Sequence, residues 1–173
     1  GADDGTSATD AWPDVAGYEA YRSGTGFATG DDVTFNTDCS YDERLTITHS
    51  GTSGDRAVFD PYGTGTAPPF NGNSSRSTTS GNYDHTAEGR PNSHYKGMIQ
   101  VGTSSLGYEY ITIDGFKVTN SAGRGIAVWD ITSNNVIIQN NTIVHSASAG
   151  VAVEGSEHLV YNNWASECSI AVV

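Results

Sequence analysis

Three basic side chains, Lys117, Arg124 and His145, are the first candidates for chemistry in this chain of 173 residues. Side chains of these types can abstract a proton when a neighbouring group orients them or shifts their pKa. The alternative is that each is solvated or paired with an Asp or Glu. We therefore take the three as candidate catalytic residues, with both interpretations open.

A second group of candidates combines an aromatic ring with two carboxylates: Trp129, Asp130 and Glu154. An exposed Trp can stack on the apolar face of a sugar ring. Carboxylates can bind sugar hydroxyls or supply the oxygen ligands that calcium prefers. These residues are candidates for substrate binding, and Asp130 and Glu154 also for calcium binding. The alternative is a Trp packed beneath a neighbouring loop, with solvated carboxylates.

Four further potential metal ligands lie in residues 64–95, a stretch without hydrophobic periodicity. Their spacing matches no strong metal-binding signature. These residues are Asp84, His85, Glu88 and His94.

An internal repeat positions most of these candidates. Residues 111–130 align with residues 136–155 at an offset of 25, which superimposes Gly125 on Gly150. A third copy at 159–173 superimposes Asn163 on Asn141 at an offset of 22. After a short deletion, Ile170 of this copy falls on Val151. Repeats of this length indicate a solenoid.

Each copy contains two short segments typical of β-strands, one near I-T-I and one near G-I-A-V. Strands this short cannot bury their apolar side chains alone, so successive coils have to stack. Alternation directs Ile126 and Val128 inward and Ala127 and Trp129 outward. The pattern predicts an all-β fold, a right-handed parallel β-helix with one coil per repeat.

Two pairs of residues have predicted structural roles. Asn141 and Asn163 occupy one turn position in successive coils, where Asn tolerates left-handed backbone angles and can form a side-chain amide ladder. Ligand binding is the alternative for these Asn residues. Gly125 and Gly150 are expected to be structural because they recur just before the same strand segment.

The chain divides into four segments within a single domain. Residues 1–32 form an N-terminal cap with a short helix over 14–22, residues 33–63 a first coil, 64–95 an inserted loop, and 96–173 regular coils. An uncovered coil exposes strand edges. The open end at 170–173 is therefore expected to contact another copy of the chain or the remainder of a longer protein.

Charge and hydropathy exclude two classes of partner. The formal net charge is −12 with 8 Lys and Arg, which argues against binding nucleic acid phosphates. No apolar run approaches the length needed to span a membrane. The Gly, Ser, Thr and Asn content favours a secreted or cell-surface protein of prokaryotic type.

The order of several motifs resembles the N-terminal part of the pectate lyase-like superfamily, which includes alginate lyase and chondroitinase B relatives. The residues that carry the resemblance are Trp12-Pro13, Gly30 to Phe35, Tyr41, Glu43, Leu45 to Ile47, Ser50 to Thr52, Tyr62-Gly63 and Ile111 to Val118. The resemblance implies an extracellular protein acting on polysaccharides, with β-elimination from an acidic, uronic-acid polymer as the expected reaction. In that chemistry Lys or Arg removes the proton, and calcium or Arg stabilises the enolate.

The sequence contains no matching cluster of Lys or Arg with acidic ligands, so no catalytic residue is carried over from the family. Glycoside hydrolases share the fold class and are a second enzymatic possibility. The alternative function is a non-catalytic β-helix that binds glycans or stacks end to end in a surface assembly.

Overall fold

The structure, a computed structural model, describes residues 11–24, 26–63, 65, 69–72, 97–103, 106–168 and 170–172. In these ranges the chain forms one helix and fourteen short strands. All pairings between the strands are parallel, in three sheets that run along the molecule. The predicted all-β parallel solenoid is therefore confirmed.

Each sheet takes one strand from each successive coil. Sheet A contains β1 (Val33–Asn36), β3 (Ala57–Tyr62), β6 (Ile111–Asp114), β9 (Ile137–Gln139) and β12 (Leu159–Tyr161). Sheet B contains β4 (Pro69–Asn71), β7 (Lys117–Ser121), β10 (Thr142–Ser146) and β13 (Trp164–Ser166). Sheet C contains β2 (Leu45–Ile47), β5 (Gly97–Val101), β8 (Arg124–Val128), β11 (Ala149–Val153) and β14 (Ile170–Val172).

Each complete coil has three strands, so the expectation of two was wrong. The additional strands form sheet B, where β7 buries a single inward aliphatic side chain, Val118, between polar neighbours. One apolar residue is too short an alternation to indicate a strand. Similarly, β4 lies within the segment 64–95, which was expected to be a loop, and it pairs Phe70 with Val118.

The core consists of inward side chains stacked on their equivalents in adjacent coils. In sheet C, Ile99 pairs with Ile126, and Ile126 with Val151, and all three are fully buried. Burial of such a side chain stabilises the fold by about 1.5–3 kcal/mol. Ala127 lies on the outward side of β8, as expected, yet it is also buried.

The early coils have an aromatic core that the repeat did not indicate. The rings of Phe35, Phe70 and Phe116 pack with centroids 5.4 to 6.0 Å apart. Tyr41 stacks on Phe70 at 4.7 Å. Large rings fill the interior in these coils, whereas β-branched side chains fill it in the later ones.

The helix α1 (Val15–Ser23) covers the first coil, as predicted for residues 14–22. It begins at Asp14, whose carboxylate accepts a hydrogen bond from Gly17 N at 2.6 Å. Tyr18 is fully buried, with its ring 5.9 Å from Phe35. This helix therefore closes the apolar cross-section at that end. Within the described ranges, no helix has the length and hydropathy to span a membrane.

The repeat alignment gave the correct strand register except at the last strand. Ile126 pairs with Val151, as predicted. Ile170, however, pairs with Ala149, and Val172 pairs with Val151. The aligned register was wrong by two residues because the deletion in the third copy lies in a turn, which leaves no side-chain pattern to position it.

Three columns of residues with positive φ mark the corners of the coils. Gly115, Asn140 and Asn162 lie between sheets A and B, and Tyr110, Asn135 and Glu157 lie before sheet A. At the turn from sheet B to sheet C, Asn120 and His145 are the penultimate residues of β7 and β10, and Glu167 follows β13. Asn and Gly adopt this conformation with little strain. The recurring Asn residues therefore occupy corners where the backbone turns.

Candidate functional site

The three basic candidates lie at separate positions on the solenoid. Lys117 is exposed at the start of β7, and Arg124 begins β8 in a different sheet. His145 lies at the corner between sheets B and C. Its Nδ1 is 3.2 Å from Asn120 Oδ1, and its Nε2 is 2.8 Å from Glu167 Oε2. Among the described residues, no hydrogen bond joins any two of the three.

Arg124 instead links two residues from the other candidate group. Its Nη1 is 3.3 Å from Glu154 Oε1, and its guanidinium lies over the ring of Trp129, 5.5 Å from the centroid. Such a cation–π contact occupies one face of the indole. Trp129 and Glu154 therefore lie close together, as the repeat predicted, with Arg124 in contact with both, and sugar binding by them stays a prediction.

Asp130 stabilises a turn. Its Oδ1 accepts hydrogen bonds from Thr132 N at 2.8 Å and from Thr132 Oγ1 at 2.6 Å. These hydrogen bonds hold the pKa of Asp130 below its usual value. Asp130 and Glu154 each have a protein partner, and calcium binding by these two residues stays a prediction.

No group of three metal-ligating side chains lies within the parts of the chain that the structure describes. The candidate ligands Asp84, His85, Glu88 and His94 fall outside the described residues.

The Gly and Asn residues with predicted structural roles lie where neighbouring coils come into close contact. A Cβ on Gly125 would be 2.5 Å from Ile143 Cγ2 and 2.6 Å from the carbonyl oxygen of Gly150, so β8 has no room for a side chain there. Asn141 Nδ2 donates a hydrogen bond to Asn163 Oδ1 at 2.9 Å, which is the expected amide ladder.

A pair of carboxylates that the sequence analysis missed lies on the outer face of sheet A. The inward residues Phe59 and Ile113 are Cα partners in β3 and β6. Asp60 and Asp114 follow them directly and therefore point outward side by side. Adjacent strands lie about 4.8 Å apart.

The two carboxyl groups have different environments. Asp60 is half-buried, and its Oδ1 has no hydrogen-bond partner among the described residues. Burial, reinforced by the charges of Asp32 and Asp114, raises the pKa of Asp60 to about 6. Asp114 instead accepts hydrogen bonds from Gln139 Nε2 at 2.6 Å and from Asn140 Nδ2 at 2.7 Å. Differing environments of this kind are typical of acid–base pairs.

Polar and aromatic side chains extend this face along the solenoid. Gln139 accepts a hydrogen bond from the hydroxyl of Tyr161, and Asn162 Nδ2 donates to Asn140 Oδ1 at 2.5 Å. Tyr62 ends β3 beside Asp60 and is 46% exposed, while Tyr161 ends β12 and is 45% exposed. We call the set Tyr62, Asp60, Asp114, Gln139 and Tyr161 the sheet A strip.

One sequence signal could have identified the carboxylate pair. The segments A-V-F-D, ending at Asp60, and I-T-I-D, ending at Asp114, have the same pattern of an inward apolar residue followed by Asp. Residues 64–95 separate the two segments, so the offset of 54 differs from the regular period. Alignment at a period near 25 could not bring them together.

A cleft of about 440 Å³ lies between α1 and the first coil, next to β2. Its lining includes the acidic side chains of Glu19, Asp42 and Glu43. Glu19 forms an ion pair with Arg22. This cleft offers acidic side chains but no pair fixed on adjacent strands, as Asp60 and Asp114 are.

Comparison with protein-family models, with curated proteins and with solved structures finds no significant match to this chain. The proposal for its function therefore depends on the chemistry of the side chains on its surface.

Proposed function

We propose that this chain is a secreted or cell-surface β-helix related to the pectate lyase-like superfamily, and that it hydrolyses polysaccharides at Asp60 and Asp114. The observation that carries this proposal is the pair itself: two outward carboxylates on adjacent strands, one with its pKa raised to about 6 and the other hydrogen-bonded to two amides.

The pair suits the two steps of glycoside hydrolysis with retention. The spacing of adjacent strands, about 4.8 Å, is close to the separation of about 5–5.5 Å between carboxyl groups that this reaction uses. Protonated Asp60 gives its proton to the leaving glycosidic oxygen, while Asp114 attacks the anomeric carbon and forms a glycosyl ester. Water then hydrolyses the ester and returns a proton to Asp60, which restores both groups.

β-Elimination on a uronic-acid polymer, the reaction that the resemblance implies, is the second candidate. It needs a base next to a group that neutralises the substrate carboxylate. Lys117 is exposed at the start of β7 in sheet B, but Arg124 is paired with Glu154 and His145 with Glu167. Hydrolysis is favoured because its two groups are adjacent, whereas the groups needed for elimination are dispersed.

Product analysis distinguishes the two reactions. We would incubate the chain with neutral polysaccharides and with alginate, pectate and glycosaminoglycans, both with and without calcium. Hydrolysis releases reducing ends without absorbance at 235 nm, whereas elimination produces that absorbance. We expect hydrolysis, with a rate that falls as the pH rises above about 6 because Asp60 loses its proton.

Variants test the assignment of the pair. Asp60→Asn and Asp114→Asn should each abolish release of reducing ends. Glu109→Gln, which alters an exposed carboxylate in a loop, should retain it. Full activity in both Asp variants would exclude the pair as the catalytic groups, and absorbance at 235 nm that depends on Lys117 would favour elimination.

Assembly by stacking of coils is the alternative to catalysis. In the described part of the chain, β12, β13 and β14 are the outermost strands of their sheets. The inward residues Val160 and Ala165 are only partly buried there. Light scattering over a range of concentrations tests for contact between copies, and a mass that stays at one chain would refute this alternative.

A further inference from the structure

The sheet A strip combines features that match one class of ligand. Tyr62 and Tyr161 expose nearly half of their surface at opposite ends of the strip, and Asp114 and Gln139 lie between them. Tyr side chains offer an apolar ring for stacking together with a polar hydroxyl. Hydrogen-bonding groups between two such rings suit a chain of hydroxylated sugar rings.

The strip runs parallel to the solenoid axis. Tyr62 belongs to β3 and Tyr161 to β12, and the strands β6 and β9 lie between them in sheet A. Three strand spacings amount to about 14 Å. A short oligosaccharide lying along the axis therefore spans the distance from β3, which carries Asp60 and Tyr62, past Asp114 to Tyr161.

Hydrogen bonds hold the strip in a fixed arrangement before any ligand binds. Gln139 connects Asp114 in one coil to the hydroxyl of Tyr161 in another, which restrains the Tyr161 side chain. A side chain that is already ordered loses less conformational entropy on binding. Tyr161 is therefore well suited to act as a stacking platform.

Charge decides between neutral and acidic glycans. Asp32, Asp60 and Asp114 interact electrostatically on this face, and the whole chain has a net charge of −12. Carboxylates that face a polyuronate repel it. Hydroxyl groups of a neutral sugar can instead donate hydrogen bonds to these oxygens.

We propose that the sheet A strip binds a neutral polysaccharide parallel to the solenoid axis, with Tyr161 stacked on one of its sugar rings. This inference rests on the proposed polysaccharide function and adds the class of substrate, its direction and a binding residue that does not take part in catalysis.

Binding experiments on the full chain test this inference separately from cleavage. Affinity electrophoresis and calorimetry would use xylan, mannan and hydroxyethyl cellulose as neutral probes, and alginate and polygalacturonate as acidic ones. We expect a neutral probe to bind more tightly than either acidic one, with little dependence on salt. Tyr161→Ala should raise Kd about tenfold, which is about 1.4 kcal/mol.

Two control variants isolate the ring of Tyr161. Tyr161→Phe keeps the ring and should have a smaller effect than Tyr161→Ala. Leu159→Ala removes a side chain that is 51% exposed on the same strand and face, and should leave Kd unchanged. Circular dichroism of each variant verifies that the solenoid is intact.

The outcomes separate this inference from the proposed function. Unchanged binding in Tyr161→Ala, or tighter binding of the acidic probes, would refute binding of a neutral polysaccharide to the sheet A strip. Hydrolysis by Asp60 and Asp114 would remain possible in that case. Binding that depends on Tyr161 without any release of reducing ends supports the strip and refutes hydrolysis. Failure to bind or cleave any probe overturns both.

Discussion

Replacing Asn141 by Ala should destabilise the solenoid more than Asn140→Gly does at the neighbouring corner. Asn141 is 1% exposed, and its Oδ1 accepts a hydrogen bond from Phe116 N at 2.9 Å. Its Nδ2 donates to Ile113 O at 3.1 Å and to Gln139 O at 2.7 Å, in addition to the bond to Asn163. The side chain therefore links three successive coils.

The magnitude follows from the groups that Asn141→Ala leaves without partners. A buried donor or acceptor that loses its hydrogen bond costs about 1–3 kcal/mol. Phe116 N loses its acceptor and Ile113 O loses a donor, whereas Gln139 O keeps its hydrogen bond from Gly115 N at 3.2 Å, so we expect a loss of about 3 kcal/mol in the free energy of unfolding. Such a loss lowers Tm by about 6–12 °C in a chain of this length.

Urea unfolding followed by circular dichroism measures this loss. The matched control is Asn140→Gly, which changes the adjacent, exposed corner residue with a φ of 57°. Gly adopts this φ without strain, and the two hydrogen bonds that Asn140 forms with Asp114 and Asn162 are exposed, so the control should cost about 1 kcal/mol or less. If Asn141→Ala and Asn140→Gly unfold at the same urea concentration, the amide ladder does not stabilise the stack.

Three further predictions concern other parts of the solenoid. Because the pKa of Asp60 rises from 3.8 to about 6 on folding, the protein loses stability as the pH rises from about 4 to 6. Asp60→Asn should remove this loss and be more stable than the wild type at pH 7 by about 1 kcal/mol, a value reduced for partial exposure; parallel pH–stability curves for the two proteins would contradict this. Gly125→Ala should cost at least about 2 kcal/mol in urea unfolding because its Cβ meets Ile143 and a carbonyl oxygen, whereas Gly54→Ala, with nothing within 4 Å, should be neutral. Glu154→Gln should cost less than about 1 kcal/mol, since the ion pair is partly exposed; the cost should shrink in high salt, and a loss that does not depend on salt would show that charge is not the cause.

The stacking of coils could be predicted from the sequence because β-branched side chains recur at inward positions. Ile126 and Val151 align at an offset of 25 and pair in the structure. Sheet B could not be predicted, because Val118 alone provides too little alternation. The aromatic core was missed because Phe35 and Phe70 precede the regular repeat, and Phe116 falls on Asn141 in the next copy, so no aromatic position recurs.

The sequence indicated the candidate site less well than the fold. Trp129 and Glu154 were correctly brought together, but the contact with Arg124 depends on how a long side chain lies across the surface, which spacing does not encode. Asp60 and Asp114 went unnoticed because their proximity comes from parallel pairing across an irregular insertion. The shared pattern of an apolar residue followed by Asp indicates an outward Asp in each strand, and the strand register shows that the two are neighbours.

The connection between sheets B and C differs greatly in length from coil to coil. Residues 122 and 123 suffice between β7 and β8, whereas residues 72–96 occupy the equivalent position between β4 and β5. The strands on either side still pair in register, β4 with β7 and β5 with β8. The entropic cost of closing a loop grows only slowly with its length. A foreign peptide inserted between residues 122 and 123 should therefore be presented on the side of the molecule, while the strands on either side keep their pairing.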